Sequence, residues 1–71
     1  MMPLIFADKG ANVTVRKVGG DPDVRRHLGN LGFVEDSNIT VVSENNGNLI
    51  VNVKDTRVAI SREMAARIVI E

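Results

Sequence analysis

From Asn12 the apolar and polar positions alternate, with Val13 and Val15 on one side and Thr14 and Arg16 on the other. This is the period of a strand with one buried face. Gly19-Gly20 ends it, and the period then changes: Val24, Leu28 and Leu31 stand at i, i+4 and i+7, the single apolar stripe of an amphipathic helix. Asp21 is placed to cap that helix, Pro22 to occupy its first position without losing a needed N–H, and Asp23 to meet the positive end of its dipole. Gly32 follows, and a glycine just past the last turn takes the positive φ that stops a helix. A capped helix is therefore predicted from Asp21 to Leu31, with Arg25 and Arg26 on its outer face.

After the helix the strand pattern returns. Ile39 to Val42 is β-branched throughout, Ser43 completes the run, and Asn46-Gly47 two residues before Leu49 is a strong hairpin signal because both residues tolerate positive φ. Leu49 to Lys54 alternates again, Asp55-Thr56 reads as a turn, and Arg57 to Ile60 is a further strand with Val58 and Ile60 inward. Ser61 is placed to cap one helical turn through Arg62 to Ala66, before a last strand from Arg67 to Ile70. The predicted class is mainly β. Five short strands cannot cover both faces of a flat sheet, so a small, strongly bent barrel is expected, with one short α-helix after the first strand and a helical turn before the last.

Composition narrows the choice of function. Seventy-one residues make a single domain, 1–71, with room for one modest core. No cysteine is present, so neither disulfides nor thiolate metal sites contribute and apolar packing must hold the fold. Nine basic and nine acidic side chains balance, and Phe6 and Phe33 are the only aromatic residues. The chain thus lacks both a basic phosphate-binding footprint and a set of rings for stacking bases, which argues against nucleic acid as a ligand. The apolar run near Leu4 is too short for a signal peptide, and nothing reaches membrane-spanning length. A cytoplasmic protein with no direct membrane insertion is expected.

Candidate chemistry is sparse. His27, the only histidine, and Asp23 stand at i, i+4 on the predicted helix, a spacing that could present two ligands to a cation such as ferrous iron and leave most of its coordination sphere unfilled. Gly29-Asn30-Leu31-Gly32 has the spacing of a KH-type nucleic-acid clamp, but that clamp joins two helices and here the second glycine leads into a strand. Gly19-Gly20 precedes a helix without the Lys-Ser or Lys-Thr of a phosphate loop. Ser37, Ser43 and Ser61 sit at turn or cap positions, and no catalytic residue is proposed. For a partner, two surfaces stand out: the helix face Arg25, Arg26 and His27, with donors suited to carboxylates, and Ile5-Phe6, an apolar handle if exposed and core if buried.

The order of elements and several motifs resemble the FeoA family of ferrous iron transport accessory proteins over nearly the whole chain. The similar positions are Leu4 with Gly10, the strand Val13 to Val18, Leu28-x-x-Leu31-Gly32-Phe33, the Gly47 hairpin, Leu49-Ile50-Val51-x-Val53, the run Val58 to Ala65, and Ile68-Val69-Ile70. Two positions depart from the family pattern: Asp36, where a glycine is common, and Asn48, where a small residue or proline is common. The resemblance implies an SH3-like barrel without an enzymatic activity of its own. It also implies a partner, the FeoB-like membrane iron transporter with its cytoplasmic GTP-binding domain, which would recruit the protein to the inner membrane face. A transition-metal-binding or sensing module, related to the C-terminal domain of metal-dependent repressors, is the alternative. No cofactor is expected beyond a divalent transition metal in that alternative, and homo-oligomerisation stays open.

Overall fold

The computed structural model describes residues 1–71. Strand β1 is Met2–Pro3, followed by a 3-10 turn over Leu4–Phe6; β2 is Asn12–Val18, α1 Pro22–Asn30, β3 Asn38–Asn45, β4 Asn48–Val53, β5 Thr56–Ser61, α2 Arg62–Ala65 and β6 Ile68–Ile70. The strands form one antiparallel sheet in the order β1-β6-β2-β3-β4-β5. The five expected strands are all present. The addition is β1, two residues paired with β6 through Met2 to Ile70 and Pro3 to Val69, too short to leave any periodic trace in the sequence.

Register shifts between Val15 and Lys17 on β2, and between Val41 and Ser43 on β3, bend the sheet as bulges do. The curled sheet encloses one cluster of 14 buried apolar side chains, including Val13 and Val15 of β2, Ile39 and Val41 of β3, all three inward residues of β4, Ile60, Ile68 and Ile70. No polar or charged side chain is buried with them. Helix α2 touches β4, β5 and the 3-10 turn, and it buries Ala65 against the core.

Both ends of α1 follow from the sequence. The Asp21 carboxylate accepts the Val24 N–H at 2.9 Å. At the other end Phe33 N–H donates to the Leu28 carbonyl and Gly32 N–H to the Gly29 carbonyl, each at 3.0 Å, the paired bonds of a Schellman motif. Gly32 has φ +106°, and Leu28 and Phe33, the two residues such a motif brings together, are both buried. Leu31 serves as the C-cap, so the helix ends one residue earlier than its apolar stripe. The Gly29-to-Gly32 stretch is the end of this helix and leads into a turn, not a second helix; the stop requires Gly32, whereas Gly29 lies within the helix with open space where a Cβ would stand.

Both hairpins turn through pairs of residues with left-handed backbone. Asn46 and Gly47 have φ +52° and +82°, as the hairpin signal requires. The β4–β5 connection falls one residue earlier than expected: Val53 pairs with Thr56, and Lys54 and Asp55 form the two-residue turn with φ +51° and +65°. A two-residue hairpin with right-handed strand twist demands two left-handed residues, and a lysine gives no hint of one. Substituting Lys54→Asn together with Asp55→Gly is expected to raise stability by about 1 kcal/mol, because both left-handed positions then go to residues that tolerate them; the midpoint of urea unfolding reads this directly.

Asp36, at the position where glycine is common in similar sequences, adopts φ +72°, so the turn keeps its left-handed form without the glycine. Its N–H donates to the Val15 carbonyl at 2.8 Å and its carboxylate meets Arg16 at 3.1 Å. Arg16 Nε also donates to Glu71 Oε2 at 2.8 Å. This hydrogen bond, then the charges of Glu71 and Asp36, raise the guanidinium pKa further above its already high value. Together the three residues tie β2 to the α1–β3 turn and to the residue after β6.

Candidate docking surface

A 3-10 turn carries successive side chains about 120° apart, so Leu4, Ile5 and Phe6 cannot all face one way. Pro3 enters the turn with extended backbone, and Ala7 N–H closes it on the Leu4 carbonyl at 2.9 Å. Leu4 is fully buried and fixes the turn on the core; Ile5 is half-buried against that core, and Phe6 is 64% exposed. The two alternatives posed by the sequence are thus divided between the two residues. Phe6 is the handle and Ile5 is part of the wall behind it.

That wall belongs to a cleft of about 280 Å³. Its apolar lining comes from Ile5, Ala7, Val41 and Leu49, and its polar lining includes Lys9, Glu44 and Arg62. Glu44 on β3 and Arg62 at the start of α2 are paired with each other, which leaves Lys9 as the unpaired charge of the rim. A cleft of this size accepts one large side chain. The sequence alone marked Ile5-Phe6 but not the cleft, because Val41, Leu49 and Arg62 come to it from three separate elements.

The helix face is built differently. Leu28 is buried, Val24 and Leu31 pack beside it, and Arg25, Arg26 and His27 are exposed. Arg26 lies 3.6 Å from Asp23, an exposed i, i+3 pair that engages the one carboxylate His27 was expected to share. The Asp23 side chain is 90% exposed, and no group of three His, Cys, Asp or Glu side chains converges on one point anywhere in the fold. Asp23 and His27 on their own supply two donors, so a transition metal held there would take its remaining ligands from water or a second subunit.

The FeoA domain model matches residues 2–71. A putative Fe(2+) transport protein A of Methanocaldococcus jannaschii is 32% identical over 71 residues, covering 100% of this chain and 87% of that protein. Among solved structures, the crystal structure of an iron uptake regulatory protein, FeoA, superposes with a TM-score of 0.90 at 27% identity, over 99% of this chain and 93% of that one. FeoA of Stenotrophomonas maltophilia, solved with zinc and described as a procaryotic SH3 domain protein, gives 0.83 at 25% identity over 100% and 91%. A manganese-dependent transcriptional repressor shares the fold over 93% of this chain and 38% of its own, with a TM-score of 0.84 at 23% identity. The curled six-stranded sheet is therefore the SH3-like fold, and with a family match running from the first strand to the last residue the chain belongs to the FeoA family of ferrous iron transport proteins.

Proposed function

We propose that this protein is a cytoplasmic accessory of ferrous iron uptake that docks on the cytoplasmic GTP-binding domain of a FeoB-type membrane transporter and biases it between states. The observation that carries this reading is Phe6, an aromatic side chain 64% exposed on a turn anchored by a fully buried leucine, beside a cleft lined by apolar and charged side chains. An exposed aromatic ring on a fixed backbone turn is the kind of group that anchors protein interfaces. A partner that covers Phe6 and fills the cleft gains apolar burial at little cost in ordering, and that differential contact shifts a transporter equilibrium without any bond being made.

A non-enzymatic role agrees with how the hydroxyls are used. Ser37 Oγ donates to the Gly32 carbonyl at 3.0 Å and Ser61 Oγ accepts the Met64 N–H at 3.1 Å, so both act in turns and caps. In this reading the partner brings the protein to the inner membrane face; no helix of the structure is long and apolar enough to cross a membrane.

Titration of isotope-labelled protein with the purified GTP-binding domain tests the proposal, following backbone amide shifts. Shifts are expected at Ile5, Phe6 and the cleft, and Phe6→Ser should weaken binding at least tenfold, the loss of about 1.5 kcal/mol or more of apolar burial. An Arg25→Glu, Arg26→Glu double variant reports on the helix face: unchanged affinity removes it from the interface, whereas loss there with Phe6→Ser unaffected moves the docking site to α1. Ferrous ion added anaerobically is the control for the metal-sensing alternative, in which Asp23 and His27 shift with iron alone.

A further inference from the structure

Strand β5 is the last in the sheet order, with β4 on one side and no strand on the other. Its pairing fixes which backbone groups are free. Val53 and Thr56 close a two-residue turn and so exchange hydrogen bonds; alternation along an antiparallel ladder then makes Val58 and Ile60 the next residues bonded to β4. The N–H groups of Arg57, Ala59 and Ser61 therefore point away from the sheet. Arg57 and Ala59 are exposed while Ile60 is buried and Val58 half-buried, so these outward-bonding residues also carry their side chains on the outer face.

Natural edges are usually guarded by proline, a bulge, charged side chains, a covering helix or loop, or brevity, and on β5 the one outward charge, Arg57, stands near the end of the strand and not at its middle. The opposite edge has two of these, since β1 is two residues long and contains Pro3. Strand β5 runs for six residues without proline, pairs with β4 without a register shift, and has alanine at the middle outward position.

We propose that β5 pairs edge to edge with β5 of a second copy of this chain, antiparallel about a two-fold axis at Ala59. The strand's own sequence favours this occupant. Antiparallel pairing centred on Ala59 sets alanine opposite alanine, where two small side chains meet without a clash, and sets Arg57 opposite Ser61 of the second copy, so the two arginines lie at opposite ends of the ribbon. An isologous contact of this kind closes on itself as a dimer and leaves the edge fully paired. Ile50 of β4, half-buried and paired with Ala59, continues the outer face of the sheet inward from the ribbon without reaching the second copy. Neither Arg57 nor Ala59 lines the cleft beside Phe6, so self-association and transporter docking rest on different residues.

Sedimentation equilibrium from micromolar to millimolar protein, with amide hydrogen exchange measured at both ends of that range, tests the proposal. The expected result is a concentration-dependent dimer with protection gained at Arg57, Ala59 and Ser61. Ala59→Pro removes the central outward N–H without touching the β4 ladder and should raise the dimer dissociation constant at least about tenfold, since both central bonds of the two-fold are lost. If that variant folds poorly, Ala59→Lys places like charges at the axis and should give the same loss, which 0.5 M salt partly restores. A monomer at all concentrations overturns the proposal, as does a dimer indifferent to both variants. Protection of these amides only on adding the GTP-binding domain also overturns it, because the edge then belongs to the transporter. Loss of dimer with unchanged docking in Ala59→Pro, and loss of docking with unchanged dimer in Phe6→Ser, keep the two proposals apart.

Discussion

Gly32→Ala is expected to destabilise the protein by about 3 kcal/mol, from two costs that add at one atom. The residue sits at φ +106°, where a Cβ meets its own backbone, an expense of about 1 to 2 kcal/mol. The same Cβ would lie 2.6 Å from Val53 Cγ1, and Val53 is 1% exposed in the middle of the core, so it has nowhere to go without disturbing β4. For a domain of this size total stability is on the order of 4 to 10 kcal/mol, so one methyl group removes a large share of it. Thermal unfolding should shift down by roughly 15 °C, given about 4 to 8 °C per kcal/mol in small domains. A drop of under 3 °C would mean that the Schellman turn relaxes to another form, and the contact with Val53 would then not be what holds α1 against the sheet.

Phe33→Ala should cost still more, about 3 to 5 kcal/mol, the range for removing a buried ring. Phe33 is 1% exposed and the largest of the fully buried side chains, in a core otherwise made of aliphatic residues. The ring also supplies one half of the Leu28–Phe33 pairing that closes the helix stop. Phe33→Leu keeps most of the volume and is expected to lose only about 1 to 1.5 kcal/mol. Urea unfolding of the pair gives the comparison. If the two substitutions cost the same, shape and not volume governs that site.

Where local chemistry decides the backbone, the sequence was readable. Asp21, Pro22 and Gly32 mark α1 to within a residue at either end, Asn46-Gly47 marks its hairpin, and Ser61 caps α2 as its position implies. Where the backbone is imposed by strand geometry on residues without a preference, it was not: Lys54 and Asp55 are left-handed because the β4–β5 ladder needs a two-residue turn there. Strand β1 is legible only through its partner β6, most of the chain away. The candidate surface divides in the same manner. Phe6 could be singled out as one of two aromatic residues, but which way it faced depended on Leu4 being pulled inward, and the cleft beside it exists only once β3, β4 and α2 have come together. The Arg16–Glu71 pair, 55 residues apart in sequence, left no local sign.

The wholly apolar interior has one more consequence. A buried polar pair fixes its two members to each other, because changing either strands the other without a partner. Nothing of that kind constrains these 14 side chains, so aliphatic residues can trade places across the core as long as the enclosed volume is kept. The information that selects one arrangement sits instead on the outside, in the left-handed turns and the helix stop. A barrel organised in this way can lose most of its sequence identity over time and still be the same barrel.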